Sequence, residues 1–492
     1  MRTAGAVGFV LPVARIRNDI YNPRYYDPTI EERLDELSVS HDLVSLQELM
    51  DAGELQLRQG KYIDKLNYGT GPIPYIRTSD IANWEIRAAP KHGVSEAVAS
   101  KYRDFMDVRE MDVLLVHEGT YLVGTPCLVT RFDTDMLFQH HLAKMRASGD
   151  RITGSLLVAC LLSPIVQRQI RARQFTADVI DSIVGRLPEV RIPLHRSDDR
   201  RRSLAELAEA IFSGRAEARV RLALLSRELD EALALGTCDQ LVESVSSSAV
   251  GGSGHVSFLG DRSPAESFVV RSPEIRGQVL VPRYYDPIAG DELKRLGRRC
   301  ELVTIGDLVN EGVLQLHTGD EVGKLAYGGG DVAFVRTSDF GNWEIKHDPK
   351  QRISRDAYDQ FAGSQSAQVG DLLLVRDGTY LVGTTTIIQE DDLPLLYSGG
   401  IYRIRVADRS RLSPALLLAL MNMRVVRRQM RNKQFTRDVI DTLGHRLLEV
   451  VVPIPSDRDD RDLIGGIMQR LLDTRESLRR KAGDLGAAVE AE

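Results

Sequence analysis

Apolar side chains at Leu204, Leu207, Ile211, Ala218, Leu222, Leu225, Leu229 and Ala232 recur in steps of three and four, with one beat skipped at Arg215. That spacing predicts a long helix burying one narrow stripe, the seam of a coiled coil. A second run, Ile464, Ile467, Leu471, Leu478 and Leu485, repeats the device near the end of the chain. Four heptads at 1.5 Å per residue make a rod of about 45 Å, longer than a helix that only completes a domain core. Ahead of each rod the apolar runs are short. Val113 to Val116 and Leu372 to Val375 read as strands entering turns at Gly119 and Gly378. Ser45 to Met50 reads as a helix opened by a capping box of Ser45 with Glu48 and closed at Gly53, and Thr304 with Asp307 does the same work later. Leu156 to Arg173 is a predicted helical hairpin, followed by Thr176 or, in the later run, Thr436 as an N-cap. Short strands at Val190 to Pro193 and Val450 to Pro453 lead into the rods.

These parallels are one long repeat. RTSDIANWEI at Arg77 to Ile86 returns 259 residues later as RTSDFGNWEI at Arg336 to Ile345. PRYYDP (Pro23 to Pro28, Pro282 to Pro287) and GTYLVGT (Gly119 to Thr125, Gly378 to Thr384) follow the same period, and QFTADVID against QFTRDVID (Gln174 to Asp181, Gln434 to Asp441) follows it with one residue added. Solenoid repeats run roughly 20 to 50 residues, so each unit here is a folded domain with its own core. The expected fold class is α/β of the α+β kind: two similar mixed α/β globules (1–196 and 265–456), each followed by a long spacer helix (197–235 and 457–492). Between them 236–264, rich in Ser and Gly, reads as a flexible linker that lets the two seams pair as an antiparallel coiled coil.

Composition narrows the setting. Four cysteines occupy no equivalent places and form no CxxC pair, so neither a disulfide framework nor a metal site is indicated, and a reducing cytoplasm fits. The apolar start is read as a first strand, because its Phe9-Val10 recurs internally as Phe268-Val269; Leu156 to Val166 is too short to span a bilayer. A net charge of −6 hides two basic patches, Arg168, Arg171, Arg173 and Arg186 in one copy and Arg424, Arg427, Arg428, Arg431, Lys433 and Arg437 in the other, which point to a local polyanion.

Enzyme chemistry is poorly supported. Asn22-Pro23-Arg24-Tyr25 only superficially matches an adenine-methyltransferase strip, the second copy has Val281 for Asn22, and no GxGxxG follows a strand. Asp339, Glu344 and Lys346 suggest a magnesium nuclease, but the first copy has Asp80, Glu85 and Arg87. His140-His141 is matched by Gly399-Gly400, which argues against a metal there.

The ordered phrases carry a resemblance. Gly69, Gly71, Pro74, Ile76, Arg77 to Ile81 and Asn83, then Asp112 to Val116 with Glu118 to Gly124, then Phe175 to Ile180, resemble the DNA-specificity subunit of type I restriction-modification enzymes along essentially the whole chain. The resemblance implies a non-catalytic, cytoplasmic phage-defence protein whose two target-recognition domains each read half of a split site in double-stranded DNA. It also implies spacer helices that set the gap and dock DNA adenine methyltransferase subunits, two by expectation, with room for a restriction-translocase subunit. S-adenosylmethionine would then sit on the partner, with no cofactor or metal on this chain. The alternatives are an interaction scaffold of a defence complex or the nuclease above.

Reading DNA needs Arg or Lys for guanine, Asn or Gln for adenine, and hydroxyls or amides for phosphate. The candidates are Lys61, Lys65, Asn67, Tyr68, Arg77, Thr78, Ser79, Asn83 and Tyr121 in the first copy, and Lys324, Tyr327, Arg336, Thr337, Ser338, Asn342, Arg376 and Tyr380 in the second. Divergent pairs, Asn67 against Ala326 and His117 against Arg376, are the better candidates for base choice. Arg168, Arg171, Arg427, Arg428 and Arg431 are expected on phosphate. Because the copies agree so widely, related half-sites are expected.

Overall fold

The computed structural model describes residues 9–13, 16, 20–175, 181–247, 268–275, 279–437 and 440–491. The chain divides into two compact units, and the division falls inside both long helices, Asp198–Leu235 and Arg458–Val489. One unit is chiefly 3–217 with 477–492; the other is chiefly 218–251 with 256–476. Each therefore holds one globule, the nearer part of one long helix and a piece of the other.

In the first unit a four-stranded antiparallel sheet runs Leu55–Gln59, Leu142–Ala147, Val113–Val116, Pro126–Leu128. Val113 to Val116 is buried throughout, as a strand with both faces covered must be. A smaller sheet places Ile73–Ile76 between Leu137–Phe138, parallel, and Gly93–Val94, antiparallel. His41–Ser45 pairs with Arg191–His195, tying the start of the globule to the strand that enters the long helix. The capping box at Ser45 forms as expected, with Ser45 Oγ accepting from Glu48 N at 3.1 Å and Glu48 Oε2 accepting from Ser45 N at 2.6 Å. The predicted hairpin is two helices, Gly154–Leu162 and Pro164–Arg173, because Pro164 has no N–H to continue the first and suits the opening turn of the second.

One core then gathers Leu204, Ala208, Ile211 and Phe212 of the first long helix with Ala482, Leu485 and Val489 of the second. Glu490, just past that second helix, accepts at 2.6 Å from the N–H of Ile165 and so caps the helix Pro164–Arg173.

The second unit repeats this plan. Leu314–Thr318, Ile401–Val406, Leu372–Val375 and Thr385–Ile387 form its four-stranded sheet, and Cys300–Thr304 pairs with Val451–Pro455. The capping is reciprocal: Asp230, on the first long helix, accepts from Arg424 N and Val425 N at 2.9 Å each, at the start of Arg424–Asn432. Burial pushes its carboxyl above the ordinary value.

Several expectations change. Phe9-Val10 and Phe268-Val269 form no strand, and Val10 and Val269 are exposed. The stretch expected as linker opens with a helix, Cys238–Ser246, that buries Cys238, Leu241 and Val245; 248–264 lies outside the described residues. Leu207 is exposed, and Leu472 rather than Leu471 is among the buried residues of the second seam. The expected cap at Thr176 is outside the described residues, and Thr436 opens no helix: it lies in the short strand Phe435–Arg437, which pairs with Ile440–Thr442. All four cysteines are buried thiols, none in a disulfide. Among the described residues no helix is long and apolar enough to cross a membrane.

Candidate nucleic-acid interface

The RTSD phrase is a 3₁₀ turn, Thr78–Asp80, followed by a two-residue hairpin in which Ile81–Ala82 pairs with Glu85–Ile86. Its loop residues Asn83 and Trp84 both have positive φ, 50° and 62°. That is the twist a tight hairpin demands, and asparagine tolerates it well. A tryptophan held there is strained, and Trp343 recurs at 61° in the second copy. Asp80 is buried and accepts from Arg77 N and Lys91 N, both at 3.0 Å, while Arg87 Nε donates to Ser79 O at 3.0 Å. Burial pushes the carboxyls of Asp80 and Asp339 up.

The hairpin aims Glu85 at the long helix. Arg215, wholly buried, lies 3.2 Å from Glu85, and in the other unit Arg475 lies 3.1 Å from Glu344. A guanidinium withdrawn from water is very costly without a carboxylate partner, so each globule is clasped to a helix through this pair. The skipped beat at Arg215 is the clasp. Arg219 and Arg479, one turn further along each helix, are buried too. Sequence reasoning missed these four arginines, although a charge at equivalent places in two apolar seams was a usable signal. The suggested magnesium set is spent the same way: Glu344 meets Arg475, and Asp339 accepts from Arg336 N at 2.9 Å.

The arginine-rich helices also turn inward. Arg428 and Asp286 form a buried pair at 2.8 Å; Arg168 reaches Asp27 at 3.6 Å and Thr29 Oγ1. Arg171 donates to Tyr121 O at 3.2 Å, and Arg427 donates to Gly383 O. Withdrawal from solvent and the neighbouring Arg431 pull the pKa of Arg427 down to about 10. These contacts tie PRYYDP to the arginine helix and GTYLVGT to the same helix in both copies. Four candidate contacts therefore lie inside the protein: Asn83, Asn342 and Arg428, and His117, whose Nε2 is 2.8 Å from His140 O. Arg168 stays on the surface, Arg171 is exposed and Arg431 is partly so. Arg376 is held by Asp377 at 2.6 Å, and Tyr121 and Tyr380 are half-buried.

What faces solvent in both copies is the tip of the loop before the strand that leads into RTSD, Ile73–Ile76 in one copy and Val332–Val335 in the other. Lys65–Asn67 is a 3₁₀ turn whose Leu66 N donates to Asp64 Oδ1 at 2.8 Å; Lys324–Ala326 repeats it with Gly323 at φ 79° in place of Asp64. At their tips Leu66 and Leu325 are 88% and 103% exposed, a position no core explains. Tyr68 stacks on His92 at 4.3 Å and leans on Tyr75 at 5.6 Å; Tyr327 leans on Phe334 at 5.6 Å. Arg77 Nη1 is 3.3 Å from His92 Nε2, and Arg336 lies 6.0 Å from the Tyr327 ring. Lys61 sits over the Phe105 ring at 4.2 Å. Thr78 and Ser79 are half-buried; Thr337 is half-buried and Ser338 exposed. The loops differ in charge, since Asp320 and Glu321 stand where the first copy has Lys61 and Tyr62.

No family model and no curated protein matches the chain. Among solved structures it is similar to the type I restriction-modification system S subunit from M. genitalium (12% identity, 92% of this chain and 95% of that one, TM-score 0.34). It is also similar to the HsdS subunit from Thermoanaerobacter tengcongensis (15% identity, 92% and 95%, TM-score 0.27). A third likeness is to a chain from a structure on complex assembly and conformational transition of the type I R-M system (15%, 92% and 96%, TM-score 0.27).

Proposed function

We propose that this chain is a non-catalytic, DNA-reading specificity subunit of a type I restriction-modification complex, with each globule reading one part of a bipartite double-stranded site. The observation that carries the reading is the recurrence, in each of the two compact units, of one loop with an exposed tip (Lys65-Leu66-Asn67-Tyr68, Lys324-Leu325-Ala326-Tyr327) in a globule clasped to a long helix by a buried ion pair. Lysines and an amide on a rigid turn supply phosphate and base contacts. Clasping the globule to the helix makes the helix a usable spacer, and the long helices are also where methyltransferase subunits would dock. S-adenosylmethionine belongs to that partner.

Because the loops carry Lys61, Tyr62 and Asn67 in one copy and Asp320, Glu321 and Ala326 in the other, the two half-sites differ. The test is to recover the tagged full chain from its native host, ask whether a DNA methyltransferase co-purifies with it, and select bound sequences from random duplexes. A split motif with two dissimilar halves supports the reading. Absence of salt-dependent DNA binding, or of a stable methyltransferase complex, refutes it.

A further inference from the structure

In the first copy the strands Val113–Val116 and Leu142–Ala147 pair with Leu142 opposite Val116, which sets residues 117–118 beside 140–141 at one end of the sheet. His117 N donates to His141 O at 3.2 Å and Glu118–Gly119 pairs with Asp181–Ser182, so the backbone around these side chains is held from both sides. Glu118, His140 and His141 each then offer one ligand atom, all within 4.8 Å of one another. His141 Nε2 is 3.1 Å from Glu118 Oε1, and the two imidazole rings stand 4.1 Å apart at 69°. His140 Nδ1 is buried and has no hydrogen-bond partner among the described residues. Two imidazoles and one carboxylate are a donor set for zinc-class cations. Bonds of about 2.0–2.2 Å in a tetrahedron put ligand atoms roughly 3.3 Å apart; Glu118 and His141 already meet that spacing, and His140 lies within 4.8 Å of both.

We propose that Glu118, His140 and His141 bind one divalent transition-metal ion of the zinc class, clipping the start of the GTYLVGT phrase to the turn that opens the neighbouring strand. The second copy has no such site: Gly399 and Gly400 replace the histidines, and Asp377, in the place of Glu118, is answered by Arg376 at 2.6 Å. The absence of a repeat, which in the sequence argued against a metal, is here a difference between the two units with its own replacement chemistry.

The test uses the full chain without a histidine tag, stripped with chelator and offered zinc, then cobalt, alone. One zinc should be retained per chain through gel filtration. Cobalt should give the intense visible bands of a four-coordinate ion. Glu118→Gln and His140→Ala should each weaken zinc binding by more than about 100-fold, beyond the loss of an outer partner, with circular dichroism unchanged. Retained zinc near zero, two zinc ions per chain, or undiminished binding in both variants would overturn the site. Should a variant fail to fold, the cobalt spectrum of the wild-type chain decides: intense bands support the site and weak six-coordinate bands reject it.

Discussion

Replacing Arg215 with methionine tests the clasp most directly. The guanidinium is wholly buried, and its partner Glu85 is 6% exposed, so the substitution strands a carboxylate away from water. Breaking a buried pair by removing one member costs about 3–5 kcal/mol, whereas replacing both members with well-packed neutral groups is often close to neutral. With a urea dependence near 3 kcal/mol per M for a unit of this size, Arg215→Met should lower the unfolding midpoint by about 1 to 1.7 M. Arg475→Met should do the same to the other unit, where Glu344 is 3% exposed. Glu85→Gln with Arg215→Met completes a double-mutant cycle, and the coupling should reach at least about 2 kcal/mol. The cycle matters because Arg215 and Glu85 each have further polar neighbours. Additivity within about 0.5 kcal/mol, or a single-variant loss below about 1 kcal/mol, would refute the clasp. Since both side chains face protein, folded variants should keep the salt slope of DNA binding.

Three further outcomes follow from the same geometry. Lys65→Ala and Lys324→Ala should each weaken binding to all sequences and reduce the salt slope by about 1 in a log–log titration; an altered bound sequence with an unaltered slope would instead make them base readers. Asn83→Gly should cost less than Asn83→Val by about 1–2 kcal/mol, because glycine accepts φ 50° freely and a β-branched residue does not. A changed recognition sequence in Asn83→Gly would show that this buried asparagine reads DNA after all. Asp230 gives a pH signature: its folded pKa lies above the unfolded 3.8, so the folded state holds the proton more firmly. Its contribution is thus fullest below pH 3.8 and declines as pH rises through the folded value. Measured by urea unfolding, the wild-type chain should lose stability relative to Asp230→Asn over that window, and a gain would contradict the burial argument.

How much of this was legible depended on what each residue has to satisfy. Strands, capping boxes and the long helices were readable because they answer to local rules: alternation, a hydroxyl three residues before an acid, an apolar stripe. The clasp was not, because nothing local tells an arginine in a seam that its partner lies 130 residues earlier in a hairpin. Arg428 was hidden in a related way, since sequence shows charge but not the acid that answers it, and Asp286 lies 142 residues before Arg428. Phe9-Val10 misled because apolar residues near an end need not join a sheet.

The same distinction reverses one inference from the repeat. RTSD and NWEI agree between copies, and that agreement first suggested two similar DNA words. Yet Asp80, Asn83 and Glu85, with Asp339, Asn342 and Glu344, are buried, and they serve turns and clasps that both units need whatever DNA they meet. Divergence falls instead within the loop, where a lysine is traded for an aspartate at 61 and 320 and an asparagine for an alanine at 67 and 326, although the exposed tips Lys65-Leu66 and Lys324-Leu325 are shared. Exchanging 61–67 for 320–326 within the full chain should therefore move one half of the bound motif toward the other, while exchanging 77–86 for 336–345 should leave the motif as it was. If the second exchange rewrote the motif and the first did not, the shared phrase rather than the variable loop would be the reader.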